Sequence, residues 1–281
     1  MSHDTAAAVT AHWSVDDLEQ RLLDALQAAG KPLDALKPDD LAPIDELHSR
    51  GREATVELAD LSGLGSGLAV LDVGSGLGGP ARYLAGRFGC HVTGIELTPA
   101  FCQVAGRFSA LTGMGDRTAF RQGDALALPF PDATFDAVWT VQAQMNIADK
   151  RRFYGEIHRV LKPGGRFVFQ DIFAGPSGQP PLVPVPWSDD GSISFLAPPA
   201  DVRGLLAELG FDEVEWRDRG SATVAHQQAA RQQGASPKAS LPPLGTHLVL
   251  GADYAVKRAN SAQSLAEGRV TQLQAVLIKT G

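Results

Sequence analysis

The sequence predicts an α/β protein with a mostly parallel central sheet, and three observations support this fold class. First, short apolar runs alternate with helical segments across residues 68–220, as in parallel sheets whose strands are joined by helices. Second, the apolar run at 68–73 leads directly into a glycine-rich turn, GSGLGG, and such turns are where these sheets bind ligands. Third, the next strand ends in an acid, Glu96, twenty residues after Gly76.

The composition narrows the range of functions. A formal net charge of −7 argues against a surface that binds nucleic acid or anionic lipid. The two cysteines, Cys90 and Cys102, form neither a disulfide framework nor a metal-ligand spacing. The sequence has no secretory signal and no apolar stretch of the roughly 20 residues that span a bilayer. We therefore expect a cytoplasmic protein with no nucleic-acid or membrane partner and no bound metal, and the oligomeric state is left open.

The elements are predicted in order along the chain. Ser14 is expected to cap a first helix, because Leu18, Leu22, Leu23 and Leu26 fall on one face behind it. Two more helices are expected, one near Pro38 and one over REATVELADLSG. The elements expected after them are strand 68–73, helix 79–88, strand 91–97, a helix capped by Thr98 with Pro99 at its first position, strand TAFRQGD, strand 135–141, helix 148–161, strand 166–173, helix PADVRGLLAELG, strand 211–218 and strand 270–279.

These elements suggest a core with two additions. Residues 1–62 are expected to form an N-terminal helical cap, 63–220 the ligand-binding core, 221–269 a helical insert and 270–281 the last strand of the core. The segment 174–198 is long and rich in Pro, Gly and Ser, which predicts a loop docked at the site. Ligands bind at the carboxyl ends of parallel strands, so we expect the cap and the insert to cover that edge.

The glycine turn and its acids indicate the kind of ligand. Dinucleotide-binding turns read GxGxxG and offer a bare helix N-terminus to a pyrophosphate. Here Asp72 lies two residues before Gly74, and its carboxylate would repel a pyrophosphate but attract a ligand that carries an ammonium and a sulfonium. Glu96 stands at the spacing at which a carboxylate meets a ribose diol. The pattern therefore favours S-adenosylmethionine.

Three runs of the sequence resemble motifs of one family. VLDVGSGLGGPARYLA is similar to the first motif of class I S-adenosylmethionine-dependent methyltransferases, and QGDALALPFPDATFDAVW and RVLKPGGRFVFQDI are similar to later motifs, in order. The resemblance covers about residues 68–220 and is greatest to small-molecule enzymes of the sarcosine/dimethylglycine, tocopherol and ubiquinone types. It implies a Rossmann-like sheet of seven strands, with the last strand, 270–279, antiparallel beside the fifth.

The resemblance also implies roles for the matching positions. The backbone of Gly74, Ser75 and Gly76 would lie against the methionine half of the cofactor, with Asp72 at its ammonium. Glu96 would bind the ribose hydroxyls. The other expected contacts are Leu97 on the adenine ring, Asp124 at its amino group, the backbone of Ala125 and Leu126, the side chain of Gln142, and Arg50 at the cofactor carboxylate.

The residues after the fourth strand bear on the methyl acceptor. Related methyltransferases often carry an acid at the position of Gln142 and a histidine at that of Asn146, and neither amide removes a proton at neutral pH. This favours an acceptor that is already nucleophilic, such as an amine or a thiolate, or a base supplied by a lid. The candidates on the acceptor side are His48, His226, His247 and Asp171.

The sequence therefore predicts a methyltransferase that uses S-adenosylmethionine to modify a small soluble metabolite, with N-methylation slightly favoured over O- or S-methylation. Two alternatives stay open. A catalytically silent partner subunit that binds S-adenosylmethionine would keep the same turn and Glu96. A nicotinamide-dependent reductase is opposed by Asp72 and by the absence of GxGxxG.

Overall fold

A seven-stranded sheet organises the computed structural model, which describes residues 3–233 and 242–281. Its strands are β1 (Ala69–Val73), β2 (His91–Glu96), β3 (Thr118–Gln122), β4 (Phe135–Val141), β5 (Leu161–Ala174), β6 (Phe211–Asp218) and β7 (Val270–Lys279). Their order across the sheet is β3-β2-β1-β4-β5-β7-β6. Strands β1 to β5 pair in parallel, and β7 runs antiparallel between β5 and β6. The predicted Rossmann-like sheet, with its last strand antiparallel beside the fifth, is confirmed.

Helices lie on both faces of the sheet and at one edge. They are α1 (His3–Trp13), α2 (Leu18–Ala28), α3 (Pro38–Asp45), α4 (Gly51–Ser62), α5 (Gly79–Phe88), α6 (Pro99–Leu111), α7 (Lys150–Val160), α8 (Pro199–Glu208), α9 (Gly220–Gln233), α10 (His247–Leu250) and α11 (Tyr254–Ala266). Within residues 3–233 and 242–281, no helix combines the length and the apolar character needed to cross a bilayer. Part of the predicted insert, residues 234–241, lies outside the described residues.

The start of the chain differs from the prediction. Ser14 does not cap a helix; its hydroxyl donates to the carbonyl of Thr10, 2.7 Å away, just after the end of α1. The next helix begins at Leu18. The sequence prediction missed α1 because its alanine-rich segment has no apolar periodicity.

Alternate residues of the strands supply two apolar layers. Val138 of β4 faces the layer that contains Phe153 of α7, and its neighbour Trp139 faces the opposite layer with Leu58 of α4 and Leu84 of α5. A third apolar cluster joins the predicted leucine face of α2 to α3, α6 and α10. The cap and the insert therefore pack together over one edge of the sheet.

The long segment after β5 is docked, as predicted. Val185 and Trp187 are at most 1% exposed and pack with Met145 and Ile172. Asn146 holds this loop through its side-chain amide, which donates to the carbonyls of Trp187 at 2.9 Å and Ile193 at 2.8 Å. Asn146 therefore positions this loop.

Arg82 on α5 ties the cap to the core. Its guanidinium is fully buried and donates to the carboxylate of Asp45 at the end of α3, with Nη2 2.7 Å from Oδ2. It also donates to the carbonyl of Leu77 in the glycine turn at 2.5 Å and to that of Ala105 on α6 at 3.1 Å. Burial raises the pKa of Asp45 to about 6, and the Arg82 charge opposes that rise. One cation thus fixes three segments.

We expect Arg82→Met to lower the free energy of unfolding by about 3–5 kcal/mol, because it leaves Asp45 buried without its cation. Urea unfolding at pH 7.5 measures the change. The matched control is Arg87→Met on the same helix, because the pair of Arg87 with Asp60 is exposed and such a pair contributes about 0–1 kcal/mol. Equal effects of the two substitutions would contradict this role of Arg82.

Candidate active site

A cavity opens at the carboxyl ends of β1, β2 and β4, below the cap and the insert. Its volume is about 1540 Å³, including the mouth that is open to solvent. We call the glycine turn and the wall residues at the ends of β1, β2 and β3 the inner half of the cavity, and the remaining wall residues its outer half. The predicted position of the ligand site, at the carboxyl edge and beneath both additions, matches this cavity.

The glycine turn presents bare backbone to the cavity. Gly74 has φ of 75°, and a Cβ there would lie 2.7 Å from the Cβ of Ala143, so a side chain is excluded at this position. Gly76 has φ of 53°, and the nearest atom to a Cβ there would be Cδ1 of Leu47 at 3.9 Å. A Cβ on Gly76 would therefore take up open space, as expected for a turn that a ligand approaches closely.

Glu96 is held against this turn. Its Oε2 accepts from the backbone amide of Gly76 at 3.0 Å, and its Oε1 accepts from that of Thr98 at 2.9 Å. Gly76 and Glu96, which lie twenty positions apart in the sequence, are thus in direct contact in the fold. Burial raises the pKa of Glu96 above its ordinary value.

Asp72 lies beneath the turn as a buried acid. It is 2% exposed, and within the described residues its Oδ2 has no hydrogen-bond partner. The pKa of Asp72 is raised to about 8, mainly by burial and in smaller part by the charges of Glu46 and Glu96. A buried carboxylate in this setting is stabilised by a cation placed beside it. The side-chain amide nitrogen of Gln142 is likewise buried, with no partner in the described part of the chain.

Beyond Glu96 the cavity wall continues through Leu97, Asp124 and Ala125. Oδ1 of Asp124 accepts from the amide of Leu126 at 2.9 Å, so this carboxylate also closes the turn after β3. Leu126 itself is 1% exposed and packs in the core of the sheet, with its amide already bonded within the protein.

Arg50 lies at the cavity but is paired within the protein. Its Nη2 donates to Glu53 at 2.6 Å and to Glu57 at 2.5 Å, which raises the pKa of Arg50. Any contact with a cofactor carboxylate would be shared with these two acids.

Two of the acceptor-side candidates, His48 and Asp171, make hydrogen bonds within the protein. Nε2 of His48 is 3.0 Å from the carbonyl of Gly51 and 3.1 Å from the hydroxyl of Thr55, and burial lowers the pKa of His48 to about 4. Asp171 is fully buried and accepts from the amides of Ala143 and Gln144, each at 3.0 Å. Burial raises the pKa of Asp171 to about 6.

The other two candidates lie in the insert. The His247 ring packs edge-on against Tyr254, with ring centres 5.7 Å apart. His226 lies on the cavity wall, half-buried, with Nδ1 2.9 Å from Oε2 of Glu53. His48 also lines the cavity, with Oε2 of Glu46 3.5 Å from its Nε2, whereas His226 is hydrogen-bonded to its carboxylate partner.

A chain of polar contacts that sequence reasoning missed joins the end of β4 to α9. The amide of Ser49 donates to Oε1 of Gln142 at 3.2 Å, and the Ser49 hydroxyl accepts from Nε2 of Gln272 at 2.8 Å. Oε1 of Gln272 accepts from the Thr223 hydroxyl on α9 at 2.7 Å. The one available signal is the QLQ in the otherwise apolar strand β7, where two glutamines are buried.

The outer half of the cavity is mainly apolar. Its apolar wall residues are Val9, Trp13, Leu47, Phe101, Met145, Ile172, Trp187 and Leu250. The outer half also contains polar groups, among them Ser49, Thr223 and His226.

Part of the chain is similar to known methyltransferases. Residues 71–169 match the family described as "Methyltransferase domain". The chain is 42% identical over 100 residues to a probable chloroplastic tocopherol O-methyltransferase of Oryza sativa subsp. japonica, a match covering 36% of this chain and 28% of that protein. It is 44% identical over 110 residues to a sterol 24-C-methyltransferase of Gibberella zeae, covering 39% and 29%. The matches thus span under a third of these two relatives.

A solved structure agrees over the whole chain. The geranyl diphosphate C-methyltransferase of Streptomyces coelicolor A3(2), in complex with S-adenosyl-L-homocysteine, superposes with a TM-score of 0.73 at 18% identity, covering 99% of each chain. The solved structure shares the fold of this chain, and residues 71–169 match the methyltransferase domain family, so the resemblance inferred from the motifs is supported over that part of the chain.

We expect Asp72→Asn to stabilise the protein in the absence of ligand. The carboxylate of the unfolded chain ionises near pH 4, whereas burial raises the pKa of folded Asp72 to about 8. The free energy of unfolding therefore falls as the pH rises through this window, because folded Asp72 resists ionisation. The neutral amide removes this loss of stability.

Calorimetric melting at pH 5.5 and pH 8.5 tests this expectation. The variant should melt above the wild type, with the larger gap at pH 8.5. Asp212→Asn, an exposed acid at the start of β6, is the control and should leave both midpoints unchanged. A lower midpoint for Asp72→Asn at pH 8.5 would show that a partner inside the protein already compensates the carboxylate.

Proposed function

We propose that this chain transfers the methyl group of S-adenosylmethionine to a small molecule with a largely apolar body. The observation that carries the proposal is the buried, unpartnered carboxylate of Asp72 beneath the turn at Gly74 and Gly76, with Glu96 fixed on the same wall. A ligand with an ammonium, a sulfonium and a ribose diol meets all three features.

The residues present fit that cofactor. Asp72 would bind its ammonium, the open space above Gly76 would admit its methionine half, and Glu96 would accept from the ribose hydroxyls. Leu97 and Asp124 line the part of the wall where the adenine would lie. When bound, the cofactor supplies an electrophilic methyl group on a cationic sulfur. The methyltransferase domain family and the similar solved structure with S-adenosyl-L-homocysteine support this assignment.

The protein's own contribution is to orient the acceptor and exclude water. The apolar walls formed by Trp13, Met145, Ile172 and Trp187 favour an acceptor with a ring or a hydrocarbon body. The preference for nitrogen, which rests on the neutral side chains of Gln142 and Asn146, stays a prediction. The relatives compared above are named as O- and C-methyltransferases.

Titration calorimetry with S-adenosylmethionine, S-adenosylhomocysteine and NAD tests the cofactor. We expect the first two to bind, and binding of NAD alone would support the reductase alternative instead. Incubation with methyl-labelled cofactor and a pooled metabolite extract then tests transfer. Label in a small product supports the enzyme, whereas cofactor binding without any labelled product supports the silent subunit.

We expect Glu96→Ala to weaken binding of S-adenosylmethionine by about 1–3 kcal/mol, through loss of charge-assisted hydrogen bonds to the ribose. Calorimetry measures the change. The control is Glu208→Ala, an exposed acid at the end of α8 that pairs with Arg151 on the surface. Unchanged affinity in Glu96→Ala would place the ribose elsewhere.

A further inference from the structure

The imidazole of His226 is held by one carboxylate at the cavity wall. Its Nδ1 is 2.9 Å from Oε2 of Glu53 on α4, whose Oε1 accepts from Arg50 at 2.6 Å. The hydrogen bond from Arg50 lowers the pKa of Glu53, so this partner is an ionised carboxylate that only accepts. Nδ1 must therefore carry the hydrogen, and Nε2 keeps its lone pair. Within the described ranges 3–233 and 242–281, no side chain or backbone group hydrogen-bonds to Nε2.

Several charged groups lie at the junction of α4 and α9. Arg50 binds Glu53 and Glu57, and Glu57 also accepts from Arg219, just before α9. Arg217 of β6 interacts electrostatically with Glu57 as well, and Arg258 of α11 lines the cavity as an exposed cation. Among the described residues, the charged group in direct contact with the His226 ring is the carboxylate of Glu53.

A chain of hydrogen bonds connects the helix that carries His226 to the end of β4. Thr223 lies one helical turn before His226, on the same face of α9, and both line the cavity. Thr223 is linked through Gln272 and Ser49 to Gln142 at the end of β4, by bonds of 2.7, 2.8 and 3.2 Å. Gln142 precedes Ala143, whose Cβ lies against Gly74. His226 thus lies on the cavity wall, on a helix that is fixed to the end of β4.

We propose that His226 is the catalytic base of the reaction and Glu53 its positioning residue, and that the acceptor is a phenolic hydroxyl in place of the nitrogen that the sequence favours. The inference rests on the proposed function. A free amine or a thiolate already offers an electron pair and needs no base, whereas a phenol must lose its proton as it attacks. A phenol, with a pKa of about 10, is closer in acidity to imidazolium, with a pKa of about 6.5, than an alcohol is, which favours a phenol. The aromatic and apolar wall suits a ring.

The step balances with groups already named. The hydroxyl proton of the acceptor passes to Nε2 of His226, while the phenolic oxygen forms a bond to the methyl carbon. The bond between that carbon and the sulfonium sulfur breaks, and its electron pair stays on sulfur. The products are an aryl methyl ether and a neutral thioether, and the proton on His226 then passes to water. Glu53 stabilises the imidazolium and keeps Nδ1 protonated throughout, without taking the proton.

The tautomer of His226 gives a readout independent of turnover. Nitrogen-15 NMR of the imidazole in the full chain, with S-adenosylhomocysteine added, should show the Nδ1–H form. The His226 signals are assigned with His226→Asn, and Glu53→Gln should mix the two tautomers. A wild-type ring protonated at Nε2 would overturn the proposal.

A series of phenols of graded acidity, with labelled S-adenosylmethionine, provides the kinetic test. His226→Asn keeps a donor for Glu53 but has no base, so it should slow methylation of weakly acidic phenols by about 10²–10⁴-fold. The decrease in rate caused by His226→Asn should become negligible for pentafluorophenol, which is ionised at the assay pH. The acid limb of the pH–rate profile, present in the wild type as the imidazole loses its proton, should vanish in the variant. His91→Asn, an exposed histidine at the start of β2, is the control.

The outcomes separate this proposal from the proposed function. Methylation of thiophenol or benzylamine but of no phenol, or an equal loss in His226→Asn for every phenol, would overturn the base and leave the methyltransferase standing. Failure of S-adenosylmethionine to bind the wild type would remove both. Binding of S-adenosylmethionine by His226→Asn with wild-type affinity shows that the kinetic loss does not come from misfolding.

Discussion

The buried guanidinium of Arg82 is the contact on which the geometry of the cavity depends. It holds the end of α3, the glycine turn and α6 at fixed distances, because its three acceptors belong to these three segments. The approach of α3 is so close that a Cβ on Gly79 would lie 2.7 Å from the carbonyl of Asp45. The acids of the cavity keep their places because the backbone around them is fixed in this way.

The inner half of the cavity contains charge that the fold alone does not stabilise. Asp72 is buried and Glu96 is half-buried, and burial raises the pKa of each. A protein selected for stability alone would place neutral groups here. A cationic ligand would provide the missing interaction. The same acids that favour binding of such a ligand therefore lower the stability of the protein without it.

The sequence predicted those parts of the structure that depend on local patterns. The strands, the start of α6 at Pro99 and the contact between Gly76 and Glu96 follow from apolar runs, proline placement and one fixed spacing, whereas Thr98 precedes α6 without a capping hydrogen bond from its side chain. It did not predict the contacts of Gln272 with Ser49 or of His226 with Glu53, which join residues 223 and 173 positions apart. No periodicity encodes such pairs, because they arise only when the sheet brings both ends of the chain together. Ser14 was misassigned for a related reason, since an alanine-rich helix before it has no apolar face.

The two halves of the cavity are built from different sources. The strand ends that form its inner half are set by the sheet, whereas the outer half is roofed by helices from opposite ends of the chain, linked where Glu57 meets Arg219. Changes in the length or the side chains of those helices would alter the shape of the outer half while the strand ends stayed in register. The architecture is therefore modular: during evolution the covering helices could change, and so admit new compounds, while the strand ends of the inner half stayed the same.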